Sequence, residues 1–434
     1  MARADTPLTA AAFASRLKAL HAGPRIAVAF SGGADSLALL ILASQWAAKS
    51  RNRYVIAYTV DHGLRKASAA EARQCAAVAK SLGVTHRILR WKGDKPSSGI
   101  QAAARDARYD LLVKACQRDK ITTYLTAHHL EDQAETFLLR LARGSGVDGL
   151  AAMSATSQPE SGLRRLRPFL DVPRETLRAV VARAGLSAIE DPSNDNPRFD
   201  RVKVRRLMSD LASIGLTPAR LADTAAHMSR ARKALEAATR DVLKSSVVEP
   251  VGFIHIDIAV LLASPEEIAL RALAEILETV GGTHYAPRFE GLSAIYAALG
   301  ADALGKARTL NGCRLVVTRG RLYVTREVSV AMRAVPVAVR RRVARLWDER
   351  FTVMLDRDLP LSAAPHEIRA LGPEGLRIVR AAGCPEPAGP KSVLPTLPAL
   401  WQGKRLVAAP HVAYRDGPVG FAVHFLSGGS FPSP

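Results

Sequence analysis

Ser31-Gly32-Gly33-Ala34-Asp35-Ser36 is the stretch whose reading decides the fold. It follows Ile26-Ala27-Val28-Ala29-Phe30, a short apolar run that reads as a buried strand. It precedes Leu37-Ala38-Leu39-Leu40-Ile41-Leu42-Ala43, whose leucine and alanine content suits a helix. A strand, a glycine turn and a helix start together form an anion cradle. The glycines let a ligand approach the backbone, and the first N–H groups of the helix point at it with the positive end of the dipole. Ser36 can cap that helix or donate its hydroxyl to a phosphate oxygen. Asp35 is the odd member, because a carboxylate repels phosphate unless a cation lies between them, so it reads as a Mg2+ ligand. The plain alternative is a tight turn with a serine cap, but here each residue type has a chemical task. The other common phosphate loop, GxxxxGK followed by Ser or Thr, does not occur in the chain.

Outward from this loop the pattern repeats. A strand over 54–60 runs into Asp61-His62-Gly63-Leu64-Arg65, followed by a helix over 71–82 and a strand over 84–89. A long helix over 100–118 and a strand over 121–126 follow. That strand ends in Ala127-His128-His129-Leu130-Glu131-Asp132-Gln133-Ala134-Glu135-Thr136, and a helix over 137–141 leads to Arg143-Gly144-Ser145-Gly146. Alternating strands and helices predict an α/β, doubly wound parallel sheet with helices on both faces. In such sheets ligands sit outside the carboxyl ends of the strands. The polar clusters at 31–36, 61–65 and 127–136 each begin at such an end.

Taken alone, these clusters have bland readings. Asp61-His62-Gly63 suits an ordinary turn. Adjacent residues on a helix point about 100° apart, so His128 and His129 do not easily share one ion, and no HExxH occurs. Asp132 and Glu135 lie on one helix face and could bind a metal or receive an ammonium group; otherwise they are solvated carboxylates. Arg105 and Arg108, also three apart, can face one phosphate-bearing ligand or form a charged helix face.

The 434 residues call for two or three domains, and about half are apolar, enough for real cores. With 61 Lys+Arg against 40 Asp+Glu the formal net charge is +21, which implies a polyanionic partner, most simply a nucleic acid. Low aromatic content argues against a single strand held mainly by stacking. No apolar run reaches 18 residues, so no membrane span is expected, and Leu8, Phe13, Leu17 and Leu20 fit one helix face rather than a signal pattern. Cys75, Cys116, Cys313 and Cys384 are scattered, as expected for buried thiols in a reducing cytoplasm.

After Arg164-Arg165-Leu166-Arg167-Pro168-Phe169-Leu170, helices are expected over 174–184 and 199–208, with the turn-rich Asp191-Pro192-Ser193-Asn194-Asp195 between them. The first domain, 1–215, ends there. A mainly helical mixed α/β domain spans 216–330. It has a long helix over 217–243 and a capping-box start at Ser264-Pro265-Glu266-Glu267 for a helix to 280. A small sheet follows over 309–327, turning at Asn311-Gly312 and Arg319-Gly320. Residues 331–350, with Arg340-Arg341-Arg342, read as a basic linker or exposed helix, and 351–434 as a small β-rich C-terminal domain.

Taken together, the motifs resemble the tRNA(Ile)-lysidine synthetases, a PP-loop ATP pyrophosphatase family. The residues that carry the resemblance are Ser31 to Ser36, Asp61 to Arg65, Arg105 with Arg108-Tyr109, Ala127 through Thr136, and Arg143-Gly144-Ser145-Gly146. It extends weakly through Asp191-Pro192-Ser193-Asn194 and Arg201 to Arg205. Glu131 stands where aspartate is frequent and Val202 where asparagine is usual.

The resemblance implies that ATP adenylates the C2 oxygen of the wobble cytidine of a CAU-anticodon tRNA(Ile). L-lysine then attacks C2 and expels AMP. It implies ATP and Mg2+ as cofactors. ATP binding falls to Ser31, Gly32, Gly33, Ala34, Asp35, Ser36, His62 and Arg108, with the metal on Asp35. Catalysis falls to Asp35, Arg105, His128 and Asp132, lysine binding to Asp132 and Glu135, and tRNA contact to Arg201 and Arg205. Either Asp132 or His128 can take the proton of the attacking amine. A homodimer and a cytoplasmic location complete the expectation. Three alternatives stay open: a tRNA 2-thiolation enzyme with the same loop, a ligase of small amides, and a non-catalytic RNA-binding protein.

Overall fold

The structure is a computed structural model. It describes residues 8–64, 67–93, 95–96, 99–157, 162–189, 200–283, 285–339, 342–355, 366–417, 421–426 and 431. Arg65, the Asp191-to-Asp195 loop, Arg340 and Arg341, all named above, and the first residue of the helix expected over 199–208 lie outside the described residues. The chain divides into two compact units, 1–233 and 234–434.

In the first unit the strands are β1 (Arg25–Ala29), β2 (Tyr54–Asp61), β3 (Thr85–Arg90), β4 (Thr123–Leu125), β5 (Thr156–Ser157) and β6 (Arg164–Leu166). The sheet order is β3-β2-β1-β4-β6-β5, parallel throughout except for the antiparallel edge strand β5. The helices are α1 (Ala10–Ala19), α2 (Ala34–Ala48), α3 (Ser68–Ser81), α4 (Ile100–Arg118), α5 (Leu130–Leu141), α6 (Val147–Leu150), α7 (Arg174–Arg183) and α8 (Asp200–Ser213), and α9 (Pro218–Leu243) begins in this unit and ends in the second.

The period of two along β1 sorts its side chains between two cores. Ile26 and Val28 join Phe13 and Leu17 of α1, Leu37 to Ala43 of α2 and Leu177 of α7. Ala27 joins Ile56, Tyr58, Leu112 and Cys116 on the opposite face, beneath α4. A strand buried on both faces must be apolar at every position, which is why β1 reads as an unbroken apolar run. The connection β3–α4–β4 crosses back over the sheet, so β1 and β4 become neighbours. This is the topological switch point, where the loops after adjacent strands diverge and leave a crevice.

The second unit opens with an antiparallel sheet of β7 (Val247–Glu249), β8 (Phe253–Asp257), β9 (Arg308–Leu310), β10 (Cys313–Thr318) and β11 (Arg321–Arg326), ordered β7-β8-β11-β10-β9. It is covered by α10 (Ile258–Ala263), α11 (Glu266–Gly281) and α12 (Phe289–Gly300) through Leu273, Ile276, Leu277 and Ile295. Asn311-Gly312 and Arg319-Gly320 both have positive φ at the two central positions, the geometry that matches strand twist in tight hairpins. The expected capping box at Ser264 does not form. Pro265 is the N-cap, and the Ser264 hydroxyl donates instead to the carbonyl of Val260 in the preceding helix.

The remainder holds α13 (Val328–Ala331), β12 (Val337–Ala338), β13 (Arg345–Trp347), β14 (Phe351–Leu355), β15 (His366–Ala370), α14 (Gly372–Ala381), β16 (Pro398–Gln402), β17 (Arg405–Ala409), β18 (Tyr414–Arg415) and β19 (Phe421–Phe425). These strands form the sheets β12-β15-β16-β17-β18 and β13-β14-β19. The stretch expected as a basic linker thus contributes two strands, and Trp347 and Arg350 are buried. The high arginine content of 331–350 concealed this, because a charge-rich segment carries no visible apolar period.

Candidate active site

The loop after β1 is built as the sequence suggests, with one change of role. Gly32 has φ +87, and a Cβ there would meet Ile189 Cδ1 at 2.7 Å and Cys75 Sγ at 2.9 Å, so only glycine fits. Gly33 is the N-cap of α2 and has no side chain with which to cap. Ser36 faces back into the loop. Its Oγ accepts from the Ser31 N–H at 3.2 Å and donates to the Gly33 carbonyl at 2.9 Å, with the Ser31 hydroxyl 3.1 Å away. Ser36 therefore braces the cradle and does not cap the helix. The first N–H groups of α2 remain for an anion.

Asp35 lies at the first turn of α2, where it faces the loop after β4. His129 stands between three carboxylates: its Nδ1 is 2.9 Å from Glu131 Oε2, and its Nε2 is 3.5 Å from both Asp35 Oδ2 and Asp132 Oδ2. Burial disfavours a charged imidazole, but the Asp35 and Glu131 hydrogen bonds and the Asp132 charge outweigh it and push the pKa up to about 10. His129 is accordingly an imidazolium at neutral pH. The converse holds for Asp35. Burial pushes its carboxyl up, while His129, Arg174 and Arg178 outweigh that and hold it below its ordinary value. Arg174 Nε is 3.9 Å from Asp35 Oδ1, and that oxygen is buried with no hydrogen-bond partner. A buried carboxylate oxygen without a hydrogen-bond partner, in the first turn of the helix that follows the phosphate loop, suits a cation shared with phosphate. Among the described residues no group of three His, Cys, Asp or Glu side chains could hold a metal by itself.

His128, next in sequence, has the opposite character. Its Nδ1 lies 3.0 Å from Thr126 Oγ1. Burial lowers its pKa, Asp132 opposes this, and Arg167, Arg201 and Arg165 reinforce it, leaving a value of about 4. Two adjacent histidines thus carry different charge at pH 7, a pairing that marks sites where protons are moved. The adjacency that argued against a shared metal is what sends them to different neighbours.

The remaining expected residues divide. Asp132 accepts the His129 N–H at 3.1 Å and so fixes the start of α5. Glu135 is buried and pairs through Oε1 with Arg205 Nε at 2.9 Å, while its Oε2 is buried without a partner. Arg108 donates to His62 Nε2 at 3.3 Å through Nε, and burial with the Arg108 charge pushes the His62 pKa down to about 4. Asp61, by contrast, accepts from the Gly63 N–H and the Ser68 hydroxyl, the ordinary turn that its motif allowed. Arg105 and Arg201 are exposed and, among the described residues, have no ion pair.

Four residues that the sequence reading quoted without giving them a site role surround this centre: His129, Arg174, Arg165 and Arg167. The arginine run 164–167 contains β6 itself, a strand too short and too charged to show an apolar alternation. Cys75, Cys116 and Cys313 are buried, and burial pushes the Cys116 and Cys313 thiols up to about 12, which suits packing and not sulfur transfer.

The PP-loop domain family matches residues 9–211. The chain is 37% identical over 405 residues to the tRNA(Ile)-lysidine synthase of Ruegeria pomeroyi, covering 91% of this chain and 90% of the relative. It is 36% identical to the enzyme of the same name from Wolbachia pipientis wMel, over 90% of this chain and 89% of the relative. A Methylobacterium relative, again so named, is 44% identical over 70% of this chain and 89% of its own length.

Proposed function

Since this chain belongs to the tRNA(Ile)-lysidine synthase family, we propose that it ligates L-lysine to C2 of the wobble cytidine of a CAU-anticodon tRNA(Ile), with ATP cleaved to AMP and pyrophosphate. The observation that carries this reading is the meeting of the phosphate loop after β1 with the His128-to-Glu135 segment after β4. The cytidine C2 oxygen attacks the α-phosphorus and pyrophosphate departs. The lysine amine then adds to C2, and the C2–O bond breaks with AMP as leaving group. A pyrimidine oxygen leaves poorly until it carries AMP, so the two steps need one site.

The loop amides and the N-terminus of α2 bind the polyphosphate and neutralise it as pyrophosphate forms. Asp35, through its unpartnered Oδ1, would hold Mg2+ together with the substrate phosphates, and the ion when bound stabilises charge on the leaving group. His129 keeps Asp35 anionic and oriented. Arg108 and His62 form the opposite wall of the nucleotide site, and Arg105 faces the developing charge. Asp132 and the free Oε2 of Glu135 receive the lysine ammonium groups. His128, neutral at pH 7, accepts the proton of the attacking amine, a role His129 cannot fill because it already carries one. Arg201 and Arg205 and the basic second unit grip the tRNA. Cytoplasmic location and a homodimer belong to the same reading; no helix among the described residues is long and apolar enough to cross a membrane.

Incubation with ATP, Mg2+, radiolabelled lysine and unmodified CAU-anticodon tRNA tests it. Label should enter the RNA only with all components present. An RNA that gains sulfur instead, or no label with active tRNA, overturns the reading.

A further inference from the structure

Strand β6 pairs in parallel with β4, with Tyr124 opposite Arg165 and Leu125 opposite Leu166. Its carboxyl end therefore lies beside the loop that carries His128. Side chains along β6 alternate. Arg164 points away and donates to the carbonyls of Leu20 and His21, and Leu166 is buried. Arg165 and Arg167, two apart, share the other side. The Arg165 guanidinium lies 5.8 Å from the Tyr124 ring centre and 6.0 Å from that of Tyr109. Arg167 is 7% exposed and donates to the Ser154 carbonyl at 2.6 Å and to Ser157 Oγ at 3.4 Å.

Neither guanidinium is ion-paired among the described residues, and the Nε atoms of both are buried without a partner. Arg105 and Arg140 add to the same field. Burial and the charges of Arg165, Arg105 and Arg140 bring Arg167 down to about 10, even with Tyr124 opposing. The nearest carboxylates pair elsewhere: Glu135 through Oε1 with Arg205, and Asp132 with the backbone and ring of His129. Concentrated, partly buried, unneutralised positive charge is unfavourable unless an anion completes it.

We propose that Arg165 and Arg167 form a second anion site on the catalytic unit that takes a backbone phosphate of the RNA beside the target cytidine. This rests on the function proposed above. Strand order gives the site its meaning. β4 lies between β1 and β6, so the His128-to-Glu135 segment stands between a nucleotide cradle on one side and this arginine pair on the other. With strands about 4.8 Å apart, the two anion sites are about 10 Å apart at the strand ends, and a base anchored by its phosphate at β6 lies over His128. Base stacking on the Tyr109 side and bidentate phosphate binding both suit guanidinium chemistry.

The test compares full-length wild type, Arg165→Gln and Arg165→Lys. ATP affinity is measured by calorimetry, and affinity for unmodified CAU-anticodon tRNA is measured across a salt series, with thermal melting to establish folding. Arg165→Gln should bind tRNA about ten-fold more weakly, with a log–log salt slope smaller by about 1 and ATP affinity unchanged. Arg165→Lys should restore the slope but not all of the affinity. Unchanged tRNA affinity and slope in a folded Arg165→Gln would overturn the proposal, as would lost ATP affinity with intact tRNA binding, which would assign the site to the nucleotide. If wild type forms lysidine in the same tubes, these outcomes strike the arginine site alone. If wild type binds no tRNA, both readings fall together.

Discussion

Both units bury arginines, and they treat them differently. In the second unit Arg326 and Arg350 enclose Asp348. Arg326 donates through NH2 at 2.6 Å and Nε at 3.2 Å to the Asp348 carboxylate, and through NH1 to the Gly281 carbonyl. Arg350, fully buried, reaches Asp348 through Nε at 2.8 Å and extends to the carbonyls of Gly252 and Thr396. Each guanidinium nitrogen has an acceptor. In the first unit Arg165 and Arg167 retain orphan Nε atoms, and the carboxylates Asp35 and Glu135 each retain an orphan oxygen. Saturated buried charge ties elements together, whereas unsaturated buried charge leaves valence for something that is not protein.

The sharpest way to break this contrast is Asp348→Ala. It strands two buried cations, and a loss of about 3–5 kcal/mol is expected in denaturant unfolding of the second unit. A midpoint unchanged from wild type would show that the triad is not structural. The corresponding change in the first unit, Asp35→Asn, should act on turnover and not on folding. ATP-dependent lysidine formation should fall on the order of 100-fold, about 3 kcal/mol of barrier, with the melting temperature close to wild type. Near-normal turnover with Mg2+ present would remove Asp35 from the chemistry.

The pH dependence sharpens the picture further. The His129 pKa is raised in the folded state to about 10 from the ordinary imidazole value of 6.5. Its contribution is therefore fully present below about pH 6.5 and is lost as pH rises through about 10. Stability should decline across that window, and His129→Gln should flatten the decline. Parallel curves for the two proteins would exclude the imidazolium. The smallest effect is expected from replacing all four cysteines by alanine. Lysidine formation per folded molecule should stay within about two-fold, since burial holds the Cys75, Cys116 and Cys313 thiols protonated. Abolished activity in a folded variant would revive sulfur transfer.

Where the chemistry depends on local backbone form, it was legible from the chain. Ser31 to Ser36 announces a strand–turn–helix cradle because glycine conformations, apolar runs and helix formers act over a few residues. The Asn311-Gly312 and Arg319-Gly320 hairpins were legible for the same reason. Short or charged strands were not: β6 has three residues and two arginines, and β13 begins with Arg345. Such strands are made by their neighbours' hydrogen bonds, not by their own propensity.

The sequence by itself determined the alternation of strands and helices, the position of the phosphate loop, and the gathering of polar clusters at strand ends. Only the tertiary structure decided which side chains meet there. Asp35 and His129 are joined because the β3-to-β4 crossover makes β4 the neighbour of β1, and Arg165 and Arg167 reach the site because β6 is then laid against β4. Two histidines adjacent in the chain acquire opposite charge because one faces carboxylates and the other arginines. Periodicity is a property of neighbouring residues. Electrostatic partnership is set by distance in space, and strand order sets that distance.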